Sequence, residues 1–106
     1  VTAISGSGPA YVFYFIESMQ QAGIELGLTP KQARQLSLQT FVGASELASL
    51  SDEDAATLRT RVTSKGGTTE QAIQVMEKND VKSKIMAAIN AASERSKEMS
   101  NEFSKL

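Results

Sequence analysis

Residues 9–26, P-A-Y-V-F-Y-F-I-E-S-M-Q-Q-A-G-I-E-L, predict a long helix whose apolar half decides how this chain must fold. Proline suits the first helical turn, where its missing N–H would have no partner anyway. Gly27 is the natural residue to end the helix. Residues 10–16 are apolar on every side, whereas an ordinary surface helix carries one apolar stripe. We therefore predict that a second subunit covers this segment; a central helix in a monomeric bundle is the alternative.

Cap signals divide the rest of the chain into further helices. Thr29 and Gln32 form a predicted capping box around Pro30, with Leu28 and Ala33 as a hydrophobic staple. The predicted helices cover residues 28–50, a short segment from Ser51 with acidic residues 52–54 in its first turn, residues 70–78, and residues 81–105 with Asn79 or Asp80 as the cap. No stretch has a strand pattern. We expect an all-α fold of about five helices, one domain over residues 1–106, intertwined with a second subunit.

Two of these helices carry apolar faces with more than one possible partner. Steps of three and four residues along the last helix are typical of a coiled-coil-like seam. Packing within the subunit and packing against a second subunit both remain open, and Gly23 and Gly43 are expected to allow close helix contacts. The second helix presents Ala33, Leu36, Thr40, Ala44 and Leu47, and the last helix presents Ile85, Ile89, Ala92, Ser96, Met99, Phe103 and Leu106.

Composition excludes several classes of function. The formal net charge is −1, with 11 basic and 12 acidic residues, which argues against nucleic acid or an anionic membrane as a main partner. Cysteine and histidine are absent, so the chain has no disulfide, no zinc site of the usual kind and no histidine base. No apolar run approaches the roughly 20 residues of a spanning helix. The lack of disulfides fits a cytoplasmic protein, and Val1 in place of methionine predicts part of a longer chain.

The strongest candidate site is the glycine turn, residues 62–70, V-T-S-K-G-G-T-T-E. Gly66 and Gly67 can adopt positive φ and let a ligand approach the backbone. Thr68 or Thr69 is expected to cap the following helix, with Thr68 and Gln71 as a capping box. A helix N-terminus behind a glycine turn binds anions readily. An ordinary loop with a capped helix is the alternative, and the cation Lys65 could face ligand or solvent.

Other candidates are weaker. The S-G-S-G segment at residues 5–8 resembles half of a phosphate loop, but it lacks the third glycine and a preceding strand, so we interpret it as a tight entry into the first helix. The acidic residues 52–54 complement a helix dipole, and no further ligands are spaced to complete a metal site. Arg59 and Arg61 are expected to be solvated, with anion binding as the alternative.

Two motifs in order resemble one enzyme family. I-S-G-S-G-P-A-Y at residues 4–11, followed by the apolar helix, resembles the start of the C-terminal domain of pyrroline-5-carboxylate reductases. T-S-K-G-G-T-T at residues 63–69 is similar to that family's substrate loop, although Lys65 stands where the commoner form has proline. The resemblance covers essentially all 106 residues. It implies a domain for dimerisation and substrate binding, whose N-terminal Rossmann partner domain is not in this chain.

The resemblance also implies a reaction. Members of the family are oxidoreductases that reduce 1-pyrroline-5-carboxylate to L-proline with NADPH or NADH, the last step of proline biosynthesis. The cofactor is bound mainly by the Rossmann domain, so this chain alone is expected to be inactive. The helical domains form an intertwined homodimer, and in many members the dimers assemble further into a decamer. A purely structural oligomerisation module without a ligand site is the alternative.

Site residues follow from the resemblance by position. The backbone around Ser64, Gly66, Gly67 and Thr68 is expected to receive the substrate carboxylate. The hydroxyl of Thr69 is expected to face the ring nitrogen and orient the substrate. No residue of the chain is predicted as a certain catalytic acid or base, and no metal is expected.

Overall fold

A computed structural model describes residues 1–104 and confirms the predicted all-α class, since these residues form helices and no strand. The α-helices are α1 (Gly8–Glu25), α2 (Pro30–Leu50), α3 (Ala55–Arg61), α4 (Thr68–Lys78) and α5 (Val81–Ser104). A five-residue π-helix, Thr2–Gly6, precedes them where the sequence predicted irregular entry into α1. Lys105 and Leu106, assigned above to the last helix and its seam, lie outside the described residues.

The described residues form two compact units. The first contains Val1–Ala10 and the chain from Ser64 onward; in it the π-helix and α4 both pack against α5, and Ala3 is buried. The second, Tyr11–Thr63, contains most of α1 together with α2 and α3. The candidate residues from Ser64 to Thr69 all belong to the first unit.

The end of α1 follows the sequence prediction. Gly27 has a φ of +108°, and its N–H donates to the carbonyl of Ile24 at 3.0 Å, while that of Leu28 donates to Gly23 at 3.0 Å. These two bonds define a Schellman motif, which requires a residue that tolerates positive φ. A Cβ at Gly23 would lie 3.2 Å from Leu28 Cδ1 and 3.4 Å from Ala33 Cβ. The predicted close contact at Gly23 is therefore confirmed, whereas Gly43 has nothing within 4 Å.

The start of α2 is also as predicted. Thr29 Oγ1 accepts from the N–H of Gln32 at 3.1 Å, and Gln32 Oε1 accepts from the N–H of Thr29 at 3.0 Å. This reciprocal pair satisfies two backbone donors that the helix cannot satisfy itself. Pro30 occupies the first turn, where it removes no hydrogen bond.

We expect Thr29→Ala to lower the free energy of unfolding by about 1 kcal/mol, because the N–H of Gln32 loses its acceptor. Urea unfolding followed by circular dichroism, at a fixed protein concentration, measures the change. Thr29→Ser is the matched control, since it keeps the hydroxyl and should stay close to wild type. Equal losses in both variants would contradict a capping role.

The start of α3 differs from the prediction. Ser51 ends α2, and the acidic residues precede α3 rather than occupying its first turn. Asp54 is the N-cap, and its carboxylate accepts from the N–H of Thr57 at 2.9 Å. Hydrogen bonds from the backbone and the side chain of Thr57 lower the pKa of Asp54. Arg61 Nη2 lies 2.6 Å from Glu53 Oε2, so this arginine is paired as well as exposed.

The junction between α4 and α5 distinguishes the two residues predicted to cap α5. Asn79 ends α4, with its Nδ2 donating to the carbonyl of Val75 at 2.8 Å, and it does not cap α5. Asp80 follows with a φ of +54°, a left-handed conformation that aspartate adopts more readily than most residues. Asp80 directly precedes α5, and its carbonyl accepts from the N–H of Lys84 at 3.0 Å. The predicted alternative of Asp80 at the cap position is therefore met, although its side chain makes no hydrogen bond to the helix start within residues 1–104.

Most large apolar side chains of the described residues are exposed. Buried residues are Ala3, Ala33 and Ser37 alone within residues 1–104. In α1, Phe13 is 67% exposed and Tyr14 is 73% exposed, while Phe15 contacts Phe41 edge-to-face with ring centroids 5.6 Å apart. This exposure is the outcome expected if another chain must cover the apolar half of α1.

Candidate functional site

The glycine turn lies in the chain between α3 and α4. The N–H of Gly67 donates to the carbonyl of Ser64 at 3.0 Å, which closes a four-residue turn. Gly66, the third residue of that turn, has a φ of +76°. Positive φ at this position is the mark of a type II turn and favours glycine. Lys65 occupies the second position, at which such turns commonly carry proline.

Gly67 is required for a different reason. Its φ is an ordinary −88°, but a Cβ there would lie 3.2 Å from both the carbonyl oxygen and Oγ of Ser64. The two adjacent glycines thus serve separate needs: Gly66 provides a left-handed conformation, and Gly67 allows Ser64 to approach closely.

Gly67 is also the N-cap of α4, and this corrects the predicted cap. The helix begins at Thr68, so neither Thr68 nor Thr69 caps it and Thr68 forms no capping box with Gln71. Glycine is an acceptable N-cap but has no side chain to accept a hydrogen bond. The first N–H groups of α4 consequently lack the acceptor that the sequence pattern had suggested.

The start of α4 carries backbone N–H groups that have no hydrogen-bond acceptor in the described residues. Within residues 1–104, no hydrogen bond uses the N–H groups of Thr68 and Thr69. Both N–H groups lie at the positive end of the helix dipole of α4. The hydroxyl groups of Ser64, Thr68 and Thr69 likewise have no hydrogen-bond partner in the described part of the chain. The turn and the helix start therefore bring together several donors without intrinsic acceptors.

One contact of the turn was not anticipated from the sequence. Glu70 Oε1 accepts from the N–H of Gly66 at 3.2 Å. Glu70 is the third residue of α4, the position from which an acidic side chain reaches back in a capping box. The three-residue spacing from Gly67 to Glu70 was the sequence signal for this contact. It was missed because the cap was predicted at Thr68 or Thr69. A carboxylate already occupies one backbone donor of the turn.

Lys65 is exposed and forms no ion pair among residues 1–104. Its positive charge adds to that of the helix start, though an exposed charge is largely screened by water and salt. The structure gives no reason to assign its headgroup to a ligand.

The other candidates do not form sites. At residues 5–8, the N–H groups of Ser5 and Ser7 donate to the carbonyls of Val1 and Thr2, so these two donors are not available to a phosphate. In the described chain, no group of three or more acidic side chains could hold a metal ion. None of its helices is long and apolar enough to cross a membrane. A shallow groove of about 480 Å³ lies along α1 between Tyr14 and Glu25, away from every predicted site residue in sequence.

The chemistry of the glycine turn is that of binding. Backbone N–H groups and hydroxyls can hold a carboxylate and orient a neighbouring polar atom. No nucleophile paired with a base lies in the turn, and redox chemistry would need a cofactor. This arrangement suits a small anionic ligand positioned for a reaction whose reagents come from elsewhere.

Comparisons with known proteins identify the family of the chain. Residues 1–99 match the family described as pyrroline-5-carboxylate reductase dimerisation. A pyrroline-5-carboxylate reductase of Pseudomonas aeruginosa is 47% identical over 103 residues, which are 97% of this chain and 38% of that protein. One from Synechocystis sp. is 43% identical over 99 residues, 93% of this chain and 37% of that protein. This chain thus spans less than two fifths of the relatives it matches.

Solved structures agree in fold. The crystal structure of a Plasmodium falciparum pyrroline carboxylate reductase with NADP bound superposes with a TM-score of 0.89 and 44% identity, over 92% of this chain and 39% of that one. A reductase from Streptococcus pyogenes has the same TM-score at 27% identity, over 92% of this chain and 38% of that one. On its helical order, its glycine turn and these matches, the chain belongs to the pyrroline-5-carboxylate reductase dimerisation family.

Proposed function

We propose that this chain is the dimerising and substrate-binding part of an enzyme that reduces 1-pyrroline-5-carboxylate to L-proline. The observation that carries the proposal is the set of free N–H groups at Thr68 and Thr69, directly behind the glycine turn. They suit the carboxylate that both substrate and product carry. Family membership supports this identity of the ligand, and the free donors of the turn support a role in binding it.

The proposed partner is a second copy of the chain. The accessible surface is 8698 Å², whereas a compact monomer of 11.4 kDa exposes about 5,800 Å². The difference is about 2,900 Å² per chain, or about 5,800 Å² for two chains, which lies at the upper end of the total area that obligate dimers bury. The exposed side chains include the aromatic residues Phe13 and Tyr14 of α1. An intertwined homodimer would cover these side chains and explain why one subunit buries so little.

The role of the turn in the reaction is positioning. The amides at the start of α4, with the Ser64 hydroxyl and the Gly66 N–H, would hold the carboxylate, while Gly67 would leave room for its approach. Thr69 Oγ1 would face the ring nitrogen. Such orientation reduces the entropic cost of reaching the transition state. The hydride for the imine carbon would come from a nicotinamide cofactor held outside these residues. Residues 1–104 contain no strand and so no Rossmann unit for that cofactor, which leaves binding and orientation as the contribution of this chain.

The proposal is tested by titrating the chain with L-proline while recording amide resonances by NMR. We expect the amides of residues 64–69 to shift in a saturable manner. Pyrrolidine is the matched control, because it keeps the ring and the nitrogen but lacks the carboxylate, and it should shift these amides far less. Unchanged turn resonances at saturating L-proline would instead favour a purely structural oligomerisation module.

Three expectations from the sequence stay predictions. They are assembly of dimers into a decamer, a cytoplasmic location, and the absence of nucleic-acid and membrane partners. The cofactor is proposed as NADP or NAD.

A further inference from the structure

The contact between Glu70 and the glycine turn has a consequence for ligand binding. Glu70 Oε1 accepts from the N–H of Gly66 at 3.2 Å, and this is one of the backbone groups that the proposed function gives to a substrate carboxylate. The side chain thus presents the same functional group as the ligand to the same donor. Glu70 as a residue is half-buried, but its contact with the turn is exposed, so a ligand in solution can reach the same amide.

The backbone donors near this contact differ in whether they already have an acceptor. The N–H of Gly67 is used by the carbonyl of Ser64, while those of Thr68 and Thr69 have no acceptor in the described residues. An incoming carboxylate therefore finds open donors at the helix start and one donor occupied by Glu70. It also meets the negative charge of Glu70 at close range, which disfavours its approach.

We propose that Glu70 is an internal competitor for the substrate carboxylate, a side chain that occupies the Gly66 amide in the free protein and leaves it when ligand binds. This inference rests on the proposed function. Glu70 lowers the affinity of the turn, because a small anion must displace its carboxylate to complete its contacts. The other reading of Glu70 is a helix-dipole stabiliser in the first turn of α4.

Replacement of Glu70 by glutamine separates the two roles. Glutamine keeps the shape and an acceptor oxygen but removes the charge. With competition, Glu70→Gln should lower the Kd for L-proline by about two- to fivefold, the size expected of one exposed charge contact. With dipole stabilisation alone, the variant loses stability and its Kd does not fall. Glu77→Gln, on the same helix but in its last turn, is the matched control and should leave the Kd unchanged.

The Gly66 amide provides a second, direct readout. Its NMR shift should differ between wild type and Glu70→Gln in the free protein and become the same at saturating L-proline, because residue 70 has then left the amide. A difference that persists at saturation, or a Kd that is unchanged or raised in Glu70→Gln, overturns the inference while the proposed function stands. Failure of L-proline to bind wild type and both variants overturns the inference and the proposed function together.

Discussion

Phe13→Glu is expected to abolish the dimer and with it most of the helical structure. Phe13 is 67% exposed in the single chain and lies in the apolar half of α1. Burial of a phenylalanine contributes about 1.5–3 kcal/mol, each dimer contains two copies, and a buried unpaired carboxylate adds a further cost. We expect the Kd of the dimer to rise by roughly 10⁴-fold or more. Sedimentation velocity and circular dichroism over a concentration series measure both effects.

Gln74→Glu is the matched control for this change. It adds the same charge at an exposed position of α4 whose helical neighbours three and four residues away, Glu70, Gln71, Glu77 and Lys78, are all polar. It should sediment and fold like wild type. A Phe13→Glu protein that remains a folded dimer would place Phe13 outside the interface, and a wild-type chain that sediments as a stable folded monomer would contradict the dimer itself.

Thr69→Val is expected to reduce kcat/KM by roughly 10- to 100-fold in the full-length enzyme of which we propose this chain is a part. Valine has nearly the shape of threonine but lacks the hydroxyl that would face the ring nitrogen. Loss of one hydrogen bond to a group that carries charge costs about 1.5–3 kcal/mol. Steady-state kinetics with 1-pyrroline-5-carboxylate measures the loss, and sedimentation verifies that the dimer is intact.

The division between kcat and KM identifies the role of Thr69. A loss mainly in kcat means that the hydroxyl acts in the transition state, and a loss mainly in KM means that it holds the substrate uniformly. Thr69→Ser keeps the hydroxyl and should retain most activity. An unchanged kcat/KM in Thr69→Val would remove Thr69 from the site, although the carboxylate contacts through the turn amides could still stand.

Local interactions were predictable where neighbouring residues determine them. The capping box of Thr29 and Gln32 and the positive φ of Gly27 involve groups within a few residues, so the sequence pattern specifies the geometry. The candidate site was only partly predictable. Positive φ was predicted for both Gly66 and Gly67. It is confirmed at Gly66, whereas Gly67 has a φ of −88° and makes room for Ser64 instead. The cap of α4 was predicted at threonine because the start of the helix depends on where the turn ends.

The same dependence on the path of the loop explains the other two differences between predicted and observed caps. Asp54, rather than Ser51, opens α3, and Asn79 closes α4 instead of opening α5. Several adjacent polar residues could cap in each case, and their intrinsic preferences are nearly equal. The choice among them depends on the path of the chain through the loop. The sequence pattern therefore located these junctions to within a few residues without identifying the capping side chain.

Residue order alone established the helical class, the apolar half of α1, the glycine turn and, by resemblance, the family. These follow from periodicity, cap chemistry and motif, which act over a few residues or along one helix face. Three-dimensional geometry established that Gly67 caps α4, that Ser64 leaves no room for a side chain at residue 67, and that Glu70 holds the amide of Gly66. It also revealed how little one subunit buries. The physical reason is that hydrogen-bond partners and burial depend on where backbone dihedral angles bring atoms together in space, and several conformations satisfy the same local pattern.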